Sequence, residues 1–172
     1  MQPFSTVGFT GSRHLSGRAY THLQRTVTAL AAAGKPLHVG CARGADAAVR
    51  SASPHSLLTV HRATTRRPFH LVQRSIRMVN ALAAAQSPLL VATPLGEPPK
   101  RFTPSSHWQS CGSGSWSTVL LAAGLCIPVI LLHSQPPMWW QGWQPLSLHP
   151  FAGGYYLPAQ TIETLYEQPV LF

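Results

Sequence analysis

The sequence predicts an α/β protein with a parallel sheet of about five strands and helices on both faces. Short, continuous apolar runs alternate with longer segments of helical periodicity over the first 132 residues, and turn residues separate the two kinds of segment. Hydrophobic residues make up 45% of the 172, which is enough for one domain with a buried core. Continuous apolar runs are typical of strands buried on both faces, as in a parallel sheet.

Each predicted strand is an apolar run that ends at turn residues. The runs are Ser5–Phe9, Leu37–Gly40, Ser56–Val60, Pro88–Ala92 and Pro128–Leu132. The helices predicted between them are Gly17–Ala33, Ala45–Ala52, Leu71–Ala85 and Trp116–Gly124. The first helix stops before Gly34, a common residue just after helix ends, and the third has a regularly spaced apolar face. The second follows a Gly-containing turn, and the fourth ends at Gly124. This order of elements is Rossmann-like.

The segment after Leu132 has a different composition. It is rich in Pro, Trp and Gly and no longer alternates, so we predict a domain at residues 1–132 and an irregular C-terminal extension at residues 133–172. Two interpretations of its aromatic residues are open. They form a platform on which bases stack, or they cover an exposed part of the sheet or form a homodimer contact. These residues are Trp139, Trp140, Trp143, Tyr155 and Tyr156. Because no Arg or Lys lies among them, we favour the cover or the dimer contact.

Charge is concentrated in the first part of the chain. All 13 Lys and Arg lie in residues 1–101, where only Asp46 and Glu97 oppose them, so this part carries +11; the remainder carries −2. Eleven of the 13 are Arg, which favours bidentate phosphate contacts. The pattern therefore indicates a nucleic acid or a phosphorylated nucleotide as partner, against the alternative of a merely solvated basic surface.

Composition also argues against several classes of protein. Four carboxylates in total are too few for a carboxylate-built metal site or a paired-carboxylate glycosidase. Three cysteines at unrelated spacings predict neither a disulfide framework nor a zinc site, which favours a reducing cytoplasm. The longest apolar run, Val119–Leu132, is interrupted by Gly124 and Pro128 and is shorter than a bilayer span. We expect no cofactor, no metal and no membrane contact.

Three loops rich in Gly, Ser and Arg follow the first, second and fourth predicted strands. Because the carboxyl ends of parallel strands lie at one edge of the sheet, we expect these loops to meet there. Small residues and free N–H groups at helix starts suit an anion. The candidate binding residues in the loops are Gly11, Ser12, Arg13, Gly40, Arg43, Gly44, Asp46, Gly112, Ser113, Gly114, Ser115 and Thr118. Asp46 is either a partner for Arg13 or Arg43, an acceptor for a sugar hydroxyl, or only a helix-dipole partner.

These loops, with the Ala-Ala-Gly-Leu-Cys-Ile-Pro-Val run that ends at Val129, resemble the SLOG superfamily. That superfamily joins the Rossmann domain of DNA-processing protein A (DprA) to the cytokinin-activating LOG proteins. The resemblance covers about Ser5–Leu132. The family also has an Arg in the helix before strand four, often followed by Asn; here Arg74 is followed by Ser75, and Arg77 lies one turn further on.

The resemblance implies a non-catalytic protein that binds single-stranded DNA, as DprA-type domains do. LOG phosphoribohydrolases have a catalytic Glu soon after the third loop, and the helix that follows it here has no acidic residue. The phosphate contacts implied are from Ser12, Arg13, Arg43, Arg74, Ser113 and Ser115, with Arg77 extending the track. The alternatives are a SLOG-type sensor of small nucleotides or a LOG-like hydrolase. Arg62, Arg66 and Arg67 either line the same groove or form an ordinary solvated loop.

The C-terminal residues suggest a protein partner. Gln168, Leu171 and Phe172 resemble the peptide that binds the bacterial DNA polymerase sliding clamp, in which a Gln and a terminal Leu-Phe fill a hydrophobic groove. The motif is short, and chance occurrence is its rival. If it acts as such a peptide, it brings the protein to replicating or repaired DNA.

Overall fold

The computed structural model of the chain describes residues 4–159. The strands in this range are β1 (Thr6–Gly11), β2 (Leu37–Val39), β3 (Leu58–Val60), β4 (Pro88–Thr93), β5 (Val129–Leu131), β6 (Gln144–Leu146) and β7 (Gly154–Leu157). The helices are α1 (Gly17–Ala32), α2 (Ala45–Ala52), α3 (Pro68–Ala83) and α4 (Gly114–Gly124), with a 3₁₀ turn at His55–Leu57. The bounds of β1–β5 and α1–α4 agree with the predicted elements to within a few residues.

All seven strands form one sheet in the order β3-β2-β1-β4-β5-β7-β6. The first five are parallel, with Val7 of β1 opposite Leu37 of β2 and Leu89 of β4. The predicted α/β class with a Rossmann-like parallel sheet is therefore confirmed. The chain runs from β1 outward to β3 and then crosses back to β4, so the order of strands reverses between β1 and β4.

The extension contributes to the same sheet. β7 pairs antiparallel with β5, and β6 pairs antiparallel with β7. The sequence analysis predicts an irregular extension and misses both strands. They are three and four residues long, and Pro145 interrupts the first, so neither carries a detectable alternation of apolar and polar residues.

A hydrophobic core lies on each face of the sheet. One core packs α1 and α2, through residues such as Val27, Leu30 and Val49, against the sheet. The other packs α3 and α4, through residues such as Leu82 and Val119. Full burial of each such side chain contributes about 1.5–3 kcal/mol to folding.

Helix α4 is buried on nearly all sides. The irregular segment before it packs closely, since a Cβ added at Gly124 would lie 2.1 Å from the carbonyl carbon of Ser105. On the other side Trp140 of the extension, 4% exposed, joins the same core and covers it, as the sequence analysis favours. This burial explains the long apolar run around α4. Among the described residues, no helix has the length and apolarity needed to cross a membrane.

Candidate nucleic-acid interface

The loops after β1, β2 and the segment before α4 meet at one edge of the sheet, at the reversal of strand order between β1 and β4. Such a reversal is where open α/β sheets bind ligands. The loops enclose a cleft of about 370 Å³, here called the rim cleft. It is lined by Thr10, Gly11, Ser12, Arg13, His14, Ala42, Asp46, Arg74, Leu95, Gly112, Ser113, Gly114 and Ser115.

The loops after β1 and β2 are held together by backbone contacts. The Ser12 N–H donates to the Thr93 carbonyl at 3.0 Å, and the Ser12 carbonyl accepts from the Ala45 N–H at 3.0 Å. Gly44 has φ +69°, and a Cβ there would lie 2.3 Å from the Ser12 oxygen. Only glycine fits this crossing, because it has no Cβ and tolerates a positive φ. The crossing brings Arg13 beside the start of α2.

The N-terminal end of α4 forms one wall of the rim cleft. The Ser113 hydroxyl caps the helix by accepting from the Trp116 N–H at 3.4 Å, and it lies 3.1 Å from the Ser115 hydroxyl. A Cβ added at Gly112 or Gly114 would meet no atom within 4 Å, so this wall is open. The partial positive charge of the helix end and two hydroxyls therefore face the cleft, an arrangement that suits a phosphate.

Asp46 and Arg74 form a buried ion pair at the base of the rim cleft. Asp46 Oδ2 accepts from Arg74 Nη1 at 3.1 Å and from the Ala42 N–H at 2.9 Å. Burial raises the pKa of the Asp46 carboxyl, and the Arg74 charge opposes that rise. Of the three roles left open for Asp46, pairing with an arginine is observed, but the partner is Arg74 rather than Arg13 or Arg43.

A second cleft of about 670 Å³ adjoins the first and is here called the arginine cleft. It shares Arg13 and Ala42 with the rim cleft. Its lining comprises Arg13, Cys41, Ala42, Arg43, Ala63, Thr64, Thr65, Arg66 and Leu71. The side chains of Arg13, Arg43 and Arg66 are exposed and make no hydrogen bond to any residue between 4 and 159. They are therefore free to bind an anion.

Cys41 adds a thiol to the arginine cleft. Its Sγ accepts from the Ala63 N–H at 3.4 Å and lies 4.0 Å from Arg74 Nη1. Burial alone would raise the pKa of this thiol, but the Ala63 N–H and the Arg74 charge outweigh burial and hold the pKa below its ordinary value.

The structure brings most of the predicted binding residues together and places others elsewhere. Thr118 is fully buried and donates to the Gly114 carbonyl at 2.7 Å, so it supports α4 from inside. Arg77 donates to the Arg62 carbonyl at 2.7 Å and lines neither cleft. Of the loop arginines, Arg66 lines the arginine cleft, whereas Arg62 and Arg67 do not.

Sequence reasoning missed several residues that line the clefts: His14, Cys41, Thr64, Thr65, Leu71 and Leu95. Cys41 lies inside a predicted binding loop and was detectable by position. Thr64 and Thr65 precede α3, and nothing in their local pattern distinguishes them from other loop residues. They approach Arg43 because β3 pairs with β2. In the described part of the chain, no group of three or more His, Cys, Asp or Glu is arranged to hold a metal ion.

Comparisons with known proteins give no relative from which to transfer a function. No family model matches the sequence, and neither the curated proteins nor the solved structures include a match. The resemblance to the SLOG superfamily therefore stays a prediction that rests on the residues quoted for it. The predicted clamp-binding residues Gln168, Leu171 and Phe172 lie outside the described residues.

Proposed function

We propose that this chain is a DprA-like, non-catalytic protein that binds single-stranded DNA through its phosphates. The observation that carries the proposal is the rim cleft, where the end of β1, the start of α2 and the N-terminal end of α4 present Arg13, Ser113 and Ser115 to one space. Phosphate binding at helix starts is a general property of folds with this layout.

Electrostatics support an anionic ligand. Among residues 4–159, Asp46 is the single carboxylate that lines either cleft, and Arg74 pairs with it. Three arginines in these clefts remain unpaired within the same range, so no described carboxylate in the clefts is left to compete with a phosphate for them. For a single strand, contacts from these three arginines predict a slope of about −2 in the dependence of log affinity on log salt concentration.

Anisotropy of a labelled single-stranded oligonucleotide tests this proposal, with duplex DNA of the same sequence as control. We expect preference for the single strand at low and near-physiological salt, and we expect Arg13→Gln to weaken it. Arg25→Gln is the matched control, because Arg25 is exposed on α1, lines neither cleft and carries the same charge. Equal losses in the two variants, or equal affinity for duplex, would reduce the effect to generic attraction between opposite charges.

The second candidate is a sensor of a small phosphorylated nucleotide, with a LOG-like hydrolase as its catalytic form. The size of the rim cleft favours it, because about 370 Å³ falls near the lower end of the range of ~300–1,000 Å³ typical of small-molecule sites. The Asp46 carboxylate in that cleft offers an acceptor to a sugar hydroxyl. Against the hydrolase, helix α4, which follows the third predicted loop, lacks the Glu that LOG enzymes have there. A panel of nucleotides in a thermal-shift assay tests the sensor, which requires a raised melting temperature with at least one of them.

The proposal also places the protein in the cytoplasm, where its C-terminal residues would recruit it to the sliding clamp. Gln168, Leu171 and Phe172 would fill the clamp's hydrophobic groove. Free thiols at Cys41, Cys111 and Cys126 suit a reducing compartment. Removing Leu171 and Phe172 should abolish co-purification with the clamp and leave oligonucleotide binding unchanged; clamp binding that survives the deletion would dismiss the peptide.

A further inference from the structure

We propose that the two clefts bind one continuous ligand, a dinucleotide unit of the strand that passes Arg13 at the junction and places its bridging phosphate against the arginines of the arginine cleft. This inference rests on the proposed binding of single-stranded DNA and specifies its footprint. It comes from the lining residues, since Arg13 and Ala42 belong to both clefts. A ligand that fills the rim cleft and extends past Arg13 would therefore reach the arginine cleft.

The position of Arg13 at the junction is fixed by the backbone. The close crossing of Gly44 with Ser12, and the bond from the Ala45 N–H to the Ser12 carbonyl, hold the loop after β1 against the start of α2. A glycine-only contact of this kind leaves little freedom for the two loops to separate. Arg13 follows Ser12 directly, so its backbone is held at the boundary between the clefts, and its exposed side chain lines both of them.

Each cleft combines groups that bind a phosphate with an apolar side chain, as each nucleotide of a strand combines a phosphate with a base. The rim cleft has the helix end and hydroxyls for a terminal phosphate, together with the apolar side chain of Leu95, which is 45% exposed. The described lining of the arginine cleft contains no carboxylate and offers Arg43 and Arg66, the hydroxyls of Thr64 and Thr65, and the apolar Leu71. Alternating charged and apolar surface suits a phosphate followed by a base.

Calorimetry with thymidine 5′-monophosphate and the 5′-phosphorylated thymidine dinucleotide tests the footprint. We expect the dinucleotide to bind about tenfold more tightly or better, the factor for one further charge-assisted hydrogen bond. Arg66→Gln should remove most of this gain and leave the mononucleotide affinity within about twofold of wild type, whereas Arg13→Gln should weaken both ligands. Arg25→Gln, with the same change in charge, should alter neither.

Alkylation of Cys41 by iodoacetamide gives a second readout that does not depend on a variant. The dinucleotide should slow the modification of Cys41, which lines the arginine cleft, and the mononucleotide should not. Cys126 serves as reference in the same molecule, because it is exposed beyond the C-terminal end of α4, whose other end faces the rim cleft. Peptide mapping by mass spectrometry measures both rates.

The outcomes separate this inference from the function on which it rests. If a 20-mer oligonucleotide binds but the mononucleotide and dinucleotide bind equally, or if both protect Cys41 alike, the continuous footprint is overturned and the proposed function stands. If Arg66→Gln and Arg25→Gln reduce dinucleotide binding equally, the footprint is also overturned. If no oligonucleotide binds at all, both proposals fall together.

Discussion

Asp46 and Arg74, which are 28 positions apart in the sequence, form an ion pair with 3.1 Å between Oδ2 and Nη1 at the base of the rim cleft. Gly40 makes room for the pair, because a Cβ there would lie 2.4 Å from Asp46 Oδ2 and 2.6 Å from Arg74 Nη1. The resemblance assigns Arg74 to phosphate binding. Its observed contact neutralises a carboxylate that would otherwise repel a phosphate, so it contributes to the site at least in this indirect way.

Loss of the Arg74 charge should destabilise the fold. In Arg74→Met the buried Asp46 loses its partner, and we expect the free energy of unfolding at neutral pH to fall by about 3 kcal/mol, as measured in urea. The loss should shrink at acidic pH, since protonated Asp46 needs no guanidinium. Arg77→Met is the control, because Arg77 is exposed and donates only to a carbonyl; its expected cost is below about 1 kcal/mol. Equal costs would show that the ion pair contributes nothing specific.

The crossing at Gly44 should be sensitive to a single methyl group. Gly44 and Gly34 both have a positive φ, +69° and +70°, but a Cβ at Gly34 meets no described atom within 4 Å. Gly34→Ala should therefore cost only the strain of a left-handed residue, about 1–2 kcal/mol. Gly44→Ala adds the clash with Ser12, which we expect to cost about 1–3 kcal/mol more. Thermal and urea unfolding measure both variants, and similar losses would contradict the clash.

The stability of the fold should decrease in mild acid because of two neighbouring histidines, His38 in β2 and His61 directly after β3. His38 Nδ1 lies 3.0 Å from His61 Nε2, and burial, with the nearby His38 and Arg77, lowers the pKa of His61 to about 4. As the pH falls, His61 is protonated near pH 6.5 in the unfolded chain and only near pH 4 in the folded chain. The contribution of His61 to stability is therefore fully present above pH 6.5 and is lost as the pH falls to about 4.

His61→Gln tests this dependence by removing the titrating group. Urea unfolding between about pH 7.5 and 4.5 should give a flatter profile for this variant than for the wild type. His107→Gln is the control, because His107 is exposed and distant in sequence from His61, and we expect it to leave the dependence of stability on pH unchanged. A wild-type profile that is already flat would mean that His61 titrates alike in the folded and unfolded chains.

If the protein binds DNA as proposed, the salt dependence of its affinity should reflect the number of arginines that contact phosphates. Arg43→Gln removes one exposed guanidinium from the arginine cleft, so the slope of log affinity against log salt should become shallower by about 0.7 for a single strand. Arg25→Gln should leave the slope unchanged while lowering the net charge equally. If Arg43 does not contact a phosphate, the two variants will give the same slope.

Much of the fold was predictable because its signals are local. Continuous apolar runs identified the five parallel strands, and the predicted α2, Ala45–Ala52, agrees with the structure at both ends. The short β6 and β7 were not predictable, since strands of three and four residues depend on pairing with β5 rather than on their own pattern. The same distinction applies to the site: Ser12 and Arg13 were predictable as a loop after a strand, with Gly11 as the last residue of that strand, whereas Thr64 and Thr65 were not.

The sequence by itself determined the five parallel strands, the four helices and the Gly-rich loops, because periodicity and turn chemistry act over a few neighbouring positions. From the parallel order it also followed that the loops would share one edge of the sheet. Only the tertiary structure decided that Arg74 pairs with Asp46, that Thr118 is buried and that Arg13 stands between two clefts. Those outcomes depend on contacts between distant segments, whose geometry is set by packing of the whole sheet and not by the residues alone.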